Sequence, residues 1–147
     1  CLMPNHFHFL LKQIVPNAIS RFLSNLCNSH SRYFNVKYET VVSIYQGRFK
    51  AKKVEKDEYL VHLSRYIHLN PVNLFSFLGR GAGPQLILYQ WSSLPLFLTG
   101  NGNEVVDPQI ILQYFSKKDP AADYKEFVLA NIQLKVDPLI SHLTFDE

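Results

Sequence analysis

The spacing of hydrophobic positions changes several times along the chain, and each change marks an expected element. In residues 2–12 the period is two: Leu2, Pro4, His6, His8, Leu10 and Lys12 fall on one side, Met3, Asn5, Phe7, Phe9 and Leu11 on the other. This alternation predicts a strand with both histidines on one face and Phe7, Phe9 and Leu11 turned to the core. After Pro16-Asn17 the period lengthens. Ile19, Phe22, Leu23, Leu26, Tyr33 and Phe34 recur at helical spacing with Arg21, Ser24, Asn25, Asn28 and Arg32 between them, so an amphipathic helix is expected to about residue 34. Over residues 43–54 the period returns to two, with Tyr45, Phe49 and Ala51 on one side and Gln46, Arg48, Lys50 and Lys52 on the other. A second strand with one basic face is expected there. Asp57 opens another helix, which must stop at or before Asn70 because Pro71 disfavours helical dihedrals in the residue ahead of it. Further on, Asp107-Pro108, Asp119-Pro120 and Asp137-Pro138 each place a capping acid before a proline suited to the first helical position. The tail is expected to be helical.

Composition narrows this pattern. A chain of 147 residues, 47% apolar and 18% charged, accommodates one domain or one domain with a helical appendage. Its longest apolar runs, such as residues 7–11, are too short to span a bilayer, and no leader with a cleavage site is visible. Two cysteines, Cys1 and Cys27, make neither a disulfide framework nor a four-thiolate zinc site, so a reducing cytoplasm is the expected compartment. Charge is unevenly spread. Residues 1–80 carry eleven Lys and Arg against four Asp and Glu, a net +7, whereas residues 81–147 carry four against eight, a net −4. A basic half suggests a surface for a polyanion. The two halves meet at Gly79-Arg80-Gly81-Ala82-Gly83-Pro84, which lacks the Gly-Lys-Ser/Thr ending of a phosphate loop and reads as a hinge. The expected organisation is a basic region at 1–78, a hinge at 79–86 and a helical extension at 87–147.

Chemistry enters with His6-Phe7-His8. Two imidazoles two residues apart on a strand point the same way with Cα atoms about 6.8 Å apart, near enough to share one divalent ion. Taken alone, such a pair is more often a partly exposed strand decoration, and it needs a partner. On the helix from Asp57, Leu60, Leu63 and Ile67 form the core stripe, while Tyr59, His62, Tyr66 and Asn70 line an adjacent one. Tyr66 packing at the rim and Asn70 ending the helix would account for the second stripe without function. Facing a His-x-His pair, the same two residues would supply a nucleophile and an oxygen ligand. His62, His68 and Tyr59 stay open between packing and support. Arg48, Lys50, Lys52 and Lys53 are candidate phosphate contacts, with a solvated edge as the alternative.

Three stretches together resemble the IS200-like, single-tyrosine HUH transposases, and within them the REP-associated tyrosine transposases. Met3-Pro4-Asn5-His6-Phe7-His8-Phe9-Leu10-Leu11 is similar to the family's HUH strand, and Tyr45-Gln46-Gly47-Arg48-Phe49-Lys50 to its basic strand. Asp57-Glu58-Tyr59-Leu60 followed by Ser64-Arg65-Tyr66-Ile67-His68-Leu69-Asn70-Pro71-Val72 resembles its nucleophile helix. Tyr89-Gln90-Trp91-Ser92-Ser93 is similar to the segment that follows that helix.

The resemblance implies an α+β fold, a ferredoxin-like HUH sheet with helices, followed here by a helical tail. Family members carry further strands and a helix ahead of the HUH strand. This chain begins too late to include them, so an N-terminally incomplete sheet, or one completed by another chain, is expected. The implied activity is cleavage and rejoining of single-stranded or hairpin DNA through a 5′-phosphotyrosine on Tyr66. His6, His8 and Asn70 would hold Mg2+ or Mn2+, a choice that suits mixed imidazole and oxygen donors. Exchange of one ester for another needs no ATP, and a homodimer is a possible assembly. The alternatives are an HUH replication or conjugation nickase and a non-catalytic nucleic-acid-binding remnant.

Overall fold

The computed structural model describes residues 1–77, 82–130, 132 and 137–145. It divides into two compact units, Leu10–Lys52 and the combination of Cys1–Phe9 with Lys53–Glu147.

The smaller unit is built on α1 (Ala18–Tyr38). Its amphipathic spacing yields the helix expected from residue 19, running four residues beyond Phe34. Glu39 then turns left-handed, with φ 51°, and its amide closes on Asn35 O. The Asn35 side chain holds the chain's return: Oδ1 accepts from Thr40 Oγ1 at 3.0 Å and from the Val42 amide at 3.2 Å. Tyr45 comes back against α1, its hydroxyl 2.7 Å from His30 Nδ1. Gly47, at φ +76°, takes a conformation that a side chain would strain.

The larger unit contains α2 (Asp57–Leu69), α3 (Val72–Phe77), α4 (Ala82–Ile87), α5 (Leu94–Thr99), α6 (Gln109–Leu112), α7 (Pro120–Leu129) and a 3-10 helix (Pro138–Leu143). Helix α2 ends on Asn70 ahead of Pro71, as the dihedral restriction requires. Asp119 and Asp137 cap helices ahead of their prolines as expected, Asp119 Oδ1 accepting from Ala122 and Asp137 Oδ1 from Leu139, both at 3.0 Å; at the third pair the cap is Pro108 itself, and Asp107 Oδ1, one residue earlier, accepts from the Gln109 amide at 3.0 Å. Helix α2 packs on α6, α7 and the 3-10 helix, and α5 packs on α7. Their shared core is Leu86, Leu94, Ile111, Leu112, Tyr124, Val128 and Ile140, each at most 1% exposed. Burying these side chains is the main favourable term available to the unit, each contributing on the order of 1.5–3 kcal/mol. Among the described residues no helix is long and apolar enough to cross a membrane.

The expected ferredoxin-like sheet is absent. Among the described residues there is no strand, and the one ladder-like feature is an isolated antiparallel bridge between Leu2 and Phe7. Residues 1–8 instead fold on themselves through a reversal at Pro4-Asn5. The Met3 amide donates to His6 O at 2.8 Å and the His8 amide to Cys1 O at 2.9 Å. Residues 43–54 form no strand either. A period of two distributes side chains between two faces, but a strand exists only through a ladder to a neighbour, and no described segment pairs with this one. Residues 79–81 of the expected hinge lie outside the described residues, and Ala82–Ile87 is helical.

Candidate active site

Both histidines lie on the reversal of residues 1–8, within the larger unit. Its position is held by Leu2, whose amide donates to Trp91 O at 2.8 Å and whose carbonyl accepts from Tyr89 Oη at 2.7 Å. Phe7 stacks obliquely on Phe9, ring centroids 4.9 Å apart. His6 and His8 meet edge to face with ring centroids 5.0 Å apart.

Asn70 joins the pair. Its Oδ1 lies 3.1 Å from His6 Nε2, and its Nδ2 lies 3.1 Å from His8 Nε2. His6 Nδ1 in turn lies 2.7 Å from Asn5 Oδ1. A neutral His6 that donates Nδ1–H to Asn5 is left with an Nε2 lone pair facing Asn70 Oδ1, acceptor against acceptor. That arrangement is unfavourable by itself and becomes favourable around a cation. The outer hydrogen bond that His6 donates to Asn5 is the kind that orients metal-ligating imidazoles. His6 Nε2, His8 Nε2 and Asn70 Oδ1 are the atoms that could hold a divalent metal with open positions, His8 Nε2 then giving up the hydrogen bond it accepts from Asn70 Nδ2. Among the described residues there is no cluster of three or more His, Cys, Asp or Glu that could hold a metal ion, so this set depends on the amide.

Tyr66 lies one turn before Asn70. It is 8% exposed, and its ring meets that of His8 edge to face at 5.6 Å. Tyr59, two turns earlier on the same stripe, packs instead on His142 at 5.1 Å, with Lys56 Nζ 5.2 Å from its ring. The structure thus brings His6, His8, Tyr66 and Asn70 together and directs Tyr59 to the tail.

The basic candidates do not share one element. Arg48, Lys50 and Lys52 are exposed in the irregular stretch of the smaller unit. Lys53 belongs to the larger unit and lies 3.3 Å from Glu55.

Of the other polar residues on α2, spacing places His62 on the Tyr66 stripe and leaves His68 open, and it does not single out Ser64 or Arg65. The middle turn of α2 is buried all round: Ser64, Arg65, Tyr66, Ile67 and His68 are each inside. Arg65 pairs with Asp137 and stacks over Phe127 at 4.3 Å. Asp137 also meets His62 Nδ1 at 2.5 Å. Burial alone would raise the Asp137 pKa. The hydrogen bonds from His62 and Leu139 and the charges of His62 and Arg65 outweigh it, holding the carboxyl below its ordinary range. His68 is 2% exposed, and burial pushes its pKa down to about 3, so it is neutral. Its nitrogens lie 2.7 Å from Tyr124 Oη and 2.9 Å from Ser93 Oγ. A sequence signal did exist. Polar residues at 62, 64, 65 and 68 surround α2 on several sides, which a helix with one solvated face does not require.

Residues 1–70 match the family model described as Transposase IS200 like. The matched stretch contains both histidines and Tyr66 and ends on Asn70. No curated protein and no solved structure matches the chain. The matched stretch is 70 of the chain's 147 residues.

Proposed function

We propose that the chain acts as an IS200-like transposase of the REP-associated, single-tyrosine type, which cleaves and rejoins single-stranded or hairpin DNA through Tyr66. One observation carries the reading. Within the stretch that matches the family model, the Asn70 amide meets both histidine Nε2 atoms while the His8 ring packs on Tyr66.

In this reading the Tyr66 phenolic oxygen attacks the scissile phosphorus and gives up its proton. The bond from phosphorus to the 3′ oxygen breaks. The product is a 5′-phosphotyrosine and a 3′-hydroxyl, which takes up a proton and can later reverse the step. His6, His8 and Asn70 would hold Mg2+ or Mn2+, which when bound offsets negative charge on the phosphate oxygens. The edge contact with His8 orients the Tyr66 ring, and its burial limits access of water as a competing nucleophile. Arg48, Lys50, Lys52 and Lys53 are assigned to the phosphate backbone.

The test uses a random-sequence pool of 3′-labelled single strands with Mn2+, resolved on a denaturing gel. A labelled protein–DNA band is expected. It should not form when EDTA replaces Mn2+ in the reaction or in Tyr66→Phe, and should form in Tyr59→Phe. A band that persists in Tyr66→Phe overturns the nucleophile assignment. DNA binding with no band in the unaltered chain would favour the non-catalytic remnant.

A further inference from the structure

We propose that Tyr124, acting through His68, is a positioning residue for Tyr66 and Asn70, so that the helical tail belongs to the cleavage apparatus. This inference rests on the transposase reading.

The argument starts from direction around α2. At 100° per residue, Asn70 stands about 40° from Tyr66, whereas Ser64 and His68 stand about 160° and 200° away. One side of the helix presents the reacting group, and the opposite side is gripped. The grip is a single ordered chain of hydrogen bonds. Ser64 Oγ donates to Val61 O at 2.7 Å, so it accepts from Tyr124 Oη at 3.1 Å. Tyr124 Oη then accepts from His68 Nδ1 at 2.7 Å, and His68 Nε2 accepts from Ser93 Oγ at 2.9 Å. Neutral His68 has one donor and one acceptor, which this order uses in full. Among the described residues no buried side-chain nitrogen or oxygen lacks a partner. The Tyr124 ring is itself fixed, packed on Phe97 at 5.1 Å and Phe115 at 5.3 Å.

A satisfied buried chain specifies one rotation of the helix, because any other leaves polar groups unpaired in a dry interior. His68 is two residues from Tyr66 and two from Asn70, so the rotation it selects is theirs. The phenolic oxygen of a tyrosine lies roughly 8 Å from its helix axis, and a 10° roll moves it by about 1.4 Å. A displacement of that order costs about a hundredfold in rate.

Tyr124→Phe keeps the ring and removes the oxygen shared by His68 and Ser64. Single-turnover adduct formation is measured on the full chain with the labelled pool and Mn2+, at a temperature where circular dichroism shows each variant fully folded. Tyr124→Phe is expected to slow the step roughly 10- to 100-fold, with single-strand affinity unchanged. His68→Asn, which retains a donor near the position of Nδ1, should recover much of the rate that His68→Leu loses. A wild-type rate in Tyr124→Phe overturns the proposal and leaves the transposase reading standing. Loss of affinity in parallel with rate, or equal rates in His68→Asn and His68→Leu, assigns Tyr124 a purely structural role and also overturns it. If the unaltered chain forms no adduct that depends on Tyr66, both fall.

Discussion

The two compact units have the same supply of apolar residues and use it differently. In Leu10–Lys52, 20 of 43 residues are apolar, matching the 47% of the whole chain. Only Leu23 is buried there, while Phe22, Tyr33, Val36 and Val41 are exposed. The larger unit encloses seven core side chains almost completely and threads two polar networks between them. Composition does not decide burial. Elements that can face one another do, and among the described residues the larger unit has six helices and a 3-10 turn against a single helix in the smaller one. The candidate nucleophile and metal ligands lie in the packed unit, where positions can be held to fractions of an ångström. Three of the four candidate phosphate contacts lie in the other, where a charge need only be near a flexible backbone.

The largest effect that tests this contrast is a core deletion. Leu112→Ala, at a position 1% exposed, should lose about 2–5 kcal/mol in a urea titration. Phe22→Ala, at 44% exposed, should lose less than about 1 kcal/mol. Equal losses would mean that the smaller unit has a core of its own.

Next comes the ion pair behind α2. Asp137→Ala leaves the Arg65 guanidinium, 7% exposed, without its carboxylate, and should cost about 2–3 kcal/mol, less than a fully buried pair because Asp137 keeps some contact with water. The pH dependence has a definite sign. Asp137 has a lowered folded-state pKa, so its contribution is complete above the ordinary carboxylate range and is lost as pH falls through the folded value. With this linkage the stability difference between the unaltered chain and Asp137→Ala narrows as pH drops below about 4, whereas without it the difference stays constant with pH. Unfolding free energies at pH 7 and pH 3 distinguish the two cases.

A smaller effect on stability, though not on binding, is expected in the open unit. Replacing Arg48, Lys50 and Lys52 together with Ala should leave the unfolding midpoint nearly unchanged. The slope of log affinity against log salt for single strands should fall by about 2, from roughly 0.7 per phosphate contact. An unchanged slope moves the DNA surface elsewhere. The smallest effect belongs to Val41→Ser, at a side chain 99% exposed, which should stay within about 0.5 kcal/mol of the unaltered chain.

Much of the site was legible because it is local or nearly so. The spacing of Tyr66 and Asn70 is one helical turn, and His6 and His8 are two residues apart. The meeting of these two sets, 64 residues apart at His6 and Asn70, was readable only through likeness to a family. Asp137 was read as a cap, a role its Oδ1 performs, but its Oδ2 binds His62 and Arg65. No local pattern indicates that second role. His68 was left open because a buried histidine and a solvated one look alike in a sequence.

Helix positions are what this sequence determines by itself. Ala18–Tyr38, Asp57–Leu69 and the starts at Asp119-Pro120 and Asp137-Pro138 follow from apolar spacing, capping acids and Pro71, all of which act within four residues of backbone. Strand formation was decided by tertiary structure alone. Residues 2–12 and 43–54 have the alternation of strands but no described neighbour to complete a ladder, and a ladder is an interaction between segments. The same reason governs the ordered chain from Ser93 through His68 and Tyr124 to Ser64, whose links span 25, 56 and 60 residues. Such hydrogen bonds form only once packing has brought the segments together and excluded water from between them.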